Sequence, residues 1–174
     1  MSARPWRSGG STTLTIAAPV DAVYARIADI TATGERSLEC RAAQWLPGAQ
    51  PGTVGARFRG HNRTGIARWS RTCEVIEADP GVTFAFRTVP QRIDRSRADS
   101  TIWRYRLQAN GDTTIVTHEY EIVRPPAAFF RALYGRVLPH HRDMRPHMAH
   151  TLNALKRELE PSHSSARTED TGID

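Results

Sequence analysis

The sequence predicts an α+β fold, in which a long C-terminal helix lies across a curved antiparallel sheet and leaves an internal cavity between them. Three observations predict it. Short segments of period-two apolar alternation follow one another from about residue 39 to residue 123, separated by the turn signals "PGAQPG", "NRTG", "DPG" and "NGD". Helical periodicity occurs once before these segments and again, over a longer stretch, after them. The 174 residues suit one domain with a sizeable core, and a single helix cannot fill the concavity of a strongly bent sheet.

The elements follow in order. Residues 1–11, rich in Ser, Gly and Arg, read as a disordered tail, and residues 161–174, polar after Pro161, as another; the domain is expected over 12–160. The first strand is "STTLTIAA". Pro19 then opens a helix whose apolar positions are Val20, Val23, Ile27 and Ile30, with Asp21 in its first turn. A short helix or loop covers "TATGERSLEC". Strands are expected near 39–46, 54–62, 67–79, 82–88, 100–109 and 113–123.

Pro125 and Pro126 open the last helical region. Its apolar stripe runs Leu133, Val137, His141, Met144, Met148, Leu152, Leu155 and Leu159 in steps of three or four. Because the phase survives Pro139 and Pro146, the pattern predicts one kinked helix or two nearly collinear ones.

Composition narrows the function classes. No apolar run reaches the roughly 20 residues that span a bilayer, and the N-terminal segment lacks the apolar stretch of a secretion signal, so a cytoplasmic protein without a membrane partner is expected. Cys40 and Cys73 match neither a disulfide framework nor a paired-cysteine zinc site and read as buried thiols. The net charge of +6 comes from 24 basic residues, of which only Lys156 is lysine. These are scattered, with no aromatic-studded basic run, so nucleic acid is not an expected partner; binding through the basic surface would show as steep salt dependence. A monomer or homodimer is expected. There is no Gly-rich phosphate loop, nucleophile elbow or paired-carboxylate motif.

The stretches "IAAPVDAVYARIADI", "ECRAAQWLPG", "VGARFRGHNRTGIARWSRTCEVIEADPG", "WRYRL" and "VTHEYEI", with the terminal helix, resemble the SRPBCC superfamily. This is the START-like helix-grip fold, and the resemblance is to its polyketide cyclase/dehydrase branch, over about residues 12–160. It implies a cavity that binds an aromatic or polyketide-like small molecule. The scaffold hosts cyclases, dehydratases and lipid carriers alike, so the resemblance leaves open whether this chain is an enzyme. Relatives often carry a Trp-Ser-Pro-Glu-like stretch after the first helix, where this chain has Arg36-Ser37-Leu38-Glu39. A more polar cavity mouth is the expected result.

Strand alternation assigns candidate residues to the cavity face. His118 shares a face with Val116, Tyr120 and Ile122, and histidine is the side chain that transfers protons near neutral pH. Arg71 lies on one face with Trp69, Cys73 and Val75; a buried arginine needs a carboxylate or a wet pocket, and Glu39 is a plausible partner. Phe58, Gly60 and Asn62 share another face, and Trp103 and Tyr105 a third, with the Tyr105 hydroxyl able to reach a ligand. His141 falls on the apolar stripe where a helix bent by Pro139 would cross the concavity.

The candidate catalytic set is therefore His118 or His141 as base with Arg71 or Tyr105 as donor, removing a proton alpha to a carbonyl while polarising that carbonyl. The candidate ligand contacts are Glu39, Phe58, Asn62, Trp69, Trp103, Tyr120 and Met144. Such cyclisation or dehydration needs no cofactor. A noncatalytic carrier or sensor of a hydrophobic ligand is the alternative. His140, Asp143, His147 and His150, spaced three, four and three, would line one helical face with metal-ligating types. A solvated polar flank explains them as well, and no metal is expected.

Overall fold

The computed structural model describes residues 7–90, 100–125, 128, 136 and 138–160. The strands are β1 (Gly9–Ile16), β2 (Cys40–Trp45), β3 (Arg57–Thr64), β4 (Ala67–Asp79), β5 (Thr83–Thr88), β6 (Ser100–Asn110) and β7 (Thr113–Arg124). They form one antiparallel sheet in the order β1-β7-β6-β5-β4-β3-β2. From β2 to β7 it is a meander of adjacent hairpins, and β1 joins its far side, with the Thr13 and Thr117 hydroxyls bonded across the pair at 3.0 Å. Register shifts at Cys40/Ala42, Val75/Glu77 and Ser100/Thr101 add residues to one strand of a pair, which bends and twists a sheet. β1 begins two residues before its expected start, so Gly9 to Ser11 pair with β7 instead of belonging to the tail. Residues 1–6 and 161–174, and with them most of both expected tails, lie outside the described residues.

Helix α1 (Val20–Ala28) follows Pro19 and buries Val23 and Ile27 against the sheet. A 3-10 turn, Ile30–Ala32, and the short α2 (Thr33–Arg36) then lead into β2. Gly34 in α2 passes so close to β2 that a Cβ there would fall inside the van der Waals surface of the Arg41 carbonyl. The close approach is possible only because this residue has no side chain.

The terminal helical region differs from expectation at its centre. Pro139–Arg142 form a 3-10 turn, Asp143 is extended with φ −150° and ψ 107°, and α3 runs over Arg145–Leu159. Pro146 sits in the first turn of α3, where its missing N–H costs nothing, so it starts a helix and does not kink one. The break is stabilised locally. The Asp143 carboxylate accepts from the backbone N–H of Arg145 and from its guanidinium, the side-chain competition that makes aspartate a helix starter. The apolar stripe nonetheless keeps its phase: Met144, Met148, Leu152 and Leu155 are all buried. Leu133 and Val137, the first two members of the expected stripe, lie outside the described residues.

Leu152 and Leu155 of α3 close the core with Val23, Ile27, Ile16, Phe84 and Val116. This tight half of the molecule lies under the C-terminal part of α3. Toward the other end the layers diverge.

Candidate ligand-binding cavity and its histidine end

Between the sheet, α2 and the start of α3 lies a cavity of about 480 Å³. Strand alternation supplies most of its wall: Phe58, Gly60 and Asn62 from β3, Trp69, Arg71 and Cys73 from β4, Trp103 and Tyr105 from β6, and His118 from β7. Leu138, His141, Met144, His147 and Met148 form the roof, and Arg36 and Glu39 the side nearest α2. The wall is thus largely apolar and aromatic with a few polar groups, the composition of a small-molecule site.

His118 is one of these polar groups. It pairs directly across β6 and β7 with Tyr105, which stacks the two rings at a centroid distance of 3.9 Å and an interplanar angle of 15°. Only 4% of His118 is exposed, and among the described residues neither ring nitrogen has a hydrogen-bond partner. Burial pushes its pKa down to about 3, so the imidazole is neutral around pH 7 and offers one N–H donor and one lone pair. The Tyr105 phenol is pushed up to about 12 by burial, against the pull of Arg36, and is a neutral donor.

The second polar group is assembled from opposite ends of the chain. Nε2 of His140 donates to Glu39 Oε2 at 2.9 Å, and Nε2 of His141 to Oε1 at 3.1 Å. His147 stacks on His140 with centroids 4.3 Å apart and planes 5° apart, and Trp69 meets His141 edge-on. Burial opposes ionisation of Glu39, but the hydrogen bonds and charges of the two imidazoles outweigh it and hold the carboxyl at about 2.

Three expectations need correction here. The Glu39 carboxylate is taken by His140 and His141 and not by Arg71, because the 3-10 turn brings two imidazoles within reach of it. Arg36 does not make a polar mouth. It turns inward, 4% exposed, and its guanidinium donates to the carbonyl oxygens of Arg26 at 2.7 Å, Asp29 at 3.1 Å and Ala32 at 3.4 Å. Tyr120 shares the inward face of β7 but packs under the start of α3 against Met144 and Met148, outside the cavity wall.

The other expected contacts, Phe58, Asn62, Trp69, Trp103 and Met144, all line the cavity with His118, His141, Arg71 and Tyr105. Burial pushes the Cys73 thiol up to about 12 although Arg71 pulls it down, which keeps this cysteine an inert part of the wall. The supposed metal face of His140, Asp143, His147 and His150 is not one face, because the chain is extended at Asp143 and its carboxylate is paired with Arg145 at 2.6 Å. His140 and His147 were missed as neighbours of the cavity. The adjacent pair His140-His141 carried the signal, since a tight turn can aim both rings at one acceptor.

Gly60 tests the position of the cavity. A Cβ there would meet only the Cys40 sulfur at 3.5 Å and the Arg71 carbonyl at 4.0 Å, so a larger side chain has room at the cost of cavity volume. Gly60→Val is expected to leave the melting temperature unchanged or slightly raised, since strand propensity differences span only about 1 kcal/mol. Displacement of a fluorescent apolar probe should weaken. Unchanged probe binding would place the site elsewhere.

A curved antiparallel sheet gripping a C-terminal helix over a lined cavity defines a START-like helix-grip protein of the SRPBCC superfamily. Residues 10–160 match the model of the polyketide cyclase/dehydrase and lipid transport family, and the chain belongs to that family. Solved structures share the fold. A polyketide cyclase-like protein from Corynebacterium glutamicum is 28% identical over 90% of this chain and 96% of its own, with a TM-score of 0.58. An aromatase/cyclase from a Streptomyces species is 17% identical over 87% of this chain and 92% of its own, with a TM-score of 0.64. A START superfamily protein from Mycobacterium smegmatis is 12% identical over 87% of this chain and 96% of its own, with a TM-score of 0.58. No curated protein sequence matches this chain. No helix among the described residues is long and apolar enough to cross a membrane.

Proposed function

We propose that this protein binds an aromatic or polyketide-like small molecule in the cavity between sheet and α3, and promotes its cyclisation or dehydration. The observation that carries this reading is the His118 imidazole, buried in an apolar wall with both nitrogens unpartnered among the described residues. Leaving buried polar atoms unpaired costs about 1–3 kcal/mol, a cost that a ligand oxygen would relieve. His118 then serves as the neutral hydrogen-bond partner of a ligand carbonyl, with the Tyr105 hydroxyl beside it. Its depressed pKa makes it a weak base, so in this reading His118 polarises the ligand and the base role passes to His141, which lines the cavity from the roof. The aromatic wall of Trp69 and Trp103 would hold a flexible chain in a folded, reactive conformer.

The same weak basicity favours a second reading, a carrier that holds its ligand without changing it. One experiment separates the two. Protein purified from its own host is measured intact by native mass spectrometry, then denatured, extracted and its ligand identified. A cyclised or dehydrated aromatic product is the expected result. An unaltered fatty acid or lipid would favour the carrier, and a protein that neither retains nor takes up any apolar molecule would overturn both.

A further inference from the structure

We propose that Glu39, His140 and His141 form a binding site for a divalent transition-metal ion of the zinc class, placed so that its remaining coordination positions face the cavity. Three donor atoms, one carboxylate oxygen and two imidazole nitrogens, lie within 4.8 Å of one another. Two imidazoles and a carboxylate suit zinc and ferrous iron, and three protein ligands are the number that leaves a position open for chemistry.

The spacing also fits. Bonds of about 2.0–2.1 Å put adjacent ligands of a tetrahedral ion roughly 3.3 Å apart, and those of an octahedral ion roughly 3.0 Å apart. The separations from Glu39 Oε2, the oxygen both rings reach, are 2.9 Å to His140 Nε2 and 3.3 Å to His141 Nε2. A cation can therefore take the place of the two shared protons, with the imidazole nitrogens, which lie within 4.8 Å of each other, drawing together around it. Its neighbours fix the rings, His140 by the stack on His147 and His141 by the edge of Trp69. The side chains are 15% to 23% exposed, open enough for an ion to enter and closed enough to strip most of its water.

The inference rests on the cavity reading for its purpose alone. A cation facing the cavity would polarise a ligand oxygen directly, and a water on it would lose its proton near neutral pH to give a bound hydroxide able to accept one from a ligand. Binding of the ion itself needs no ligand.

The test titrates the full chain, stripped with chelator, with zinc chloride and then cobalt(II) chloride. One-to-one zinc uptake by calorimetry is expected, with a visible cobalt spectrum of the intensity given by four-coordinate ions. Glu39→Gln and His140→Gln should each weaken zinc by at least about 100-fold, since even outer partners of metal ligands are worth about 10- to 100-fold. His61→Gln, on the outer face and bonded to Ser70, should change nothing. Absence of stoichiometric uptake by the unaltered chain, or uptake unchanged in both ligand variants, overturns the proposal. Apolar-probe binding by the stripped protein is measured in parallel. Its persistence without zinc uptake would sink the metal site and leave the cavity reading standing, and its loss with zinc uptake intact would do the reverse.

Discussion

Arg36→Ala should lower the stability of the fold by about 3 kcal/mol, a drop of roughly 6–12 °C in melting temperature for a chain of this size. The residue is an internal brace. Its guanidinium donates to Arg26 and Asp29 at the end of α1 and to Ala32 in the 3-10 turn, and of these the Arg26 carbonyl lies in the last turn of α1, where a helix leaves its carbonyls without intrahelical partners. A cation there also faces the negative end of the α1 dipole, and Glu158 of α3 approaches it at 3.8 Å. Bonds from a charged donor are worth about 1.5–3 kcal/mol each but do not add, which sets the estimate. Arg36→Lys should recover only part of the loss, because an ammonium lacks the planar fork that reaches three carbonyls. Chemical denaturation of the two variants measures this. A loss below about 1 kcal/mol in the alanine variant would mean that the brace contributes little.

His118→Leu should do the opposite. Removing an imidazole that makes no protein hydrogen bond among the described residues should stabilise the fold by about 1–2 kcal/mol at pH 7 and weaken ligand or probe binding by tenfold or more. The pH dependence gives an independent signature. His118 has a folded pKa of about 3 against an unfolded value of about 6.5, so on acidification the unfolded chain takes up the proton first. Its contribution is fully present above pH 6.5 and is lost as pH falls toward 3, at up to about 1.4 kcal/mol per unit. The variant should lack this slope, so the difference between the two stability curves should widen steadily from pH 6.5 to pH 4. Parallel curves would show that the ring is solvated or partnered in solution.

These opposite effects mark what the sequence could and could not reveal. Alternation placed Phe58, Asn62, Trp69, Arg71, Trp103, Tyr105 and His118 on the cavity wall because a strand has one rule, that neighbours face opposite ways. The phase of Met144, Met148, Leu152 and Leu155 was readable for the same kind of reason. The break at Asp143 was not, since it depends on a carboxylate folding back onto Arg145. Nor was the union of Glu39 with His140 and His141, which joins residues about a hundred positions apart and is fixed by the tertiary fold. Arg36 misled because its type suggests solvent, whereas three carbonyls at the ends of neighbouring turns make a buried arginine favourable. Tyr120 misled because facing inward is not the same as facing the cavity.

The placement of β1 beside β7 bears on how the molecule is made. The strand synthesised first pairs with the strand synthesised last, whereas β2 to β7 can zip together as successive hairpins with little loop entropy to overcome. On the ribosome the N-terminal strand must therefore wait, unpaired, until roughly a hundred more residues have emerged. α3 follows later still. The concave face that carries Phe58, Trp69 and Trp103 is thus the last surface to be shielded from water during biosynthesis, and the binding site of the finished protein is also the sticky surface of its nascent chain.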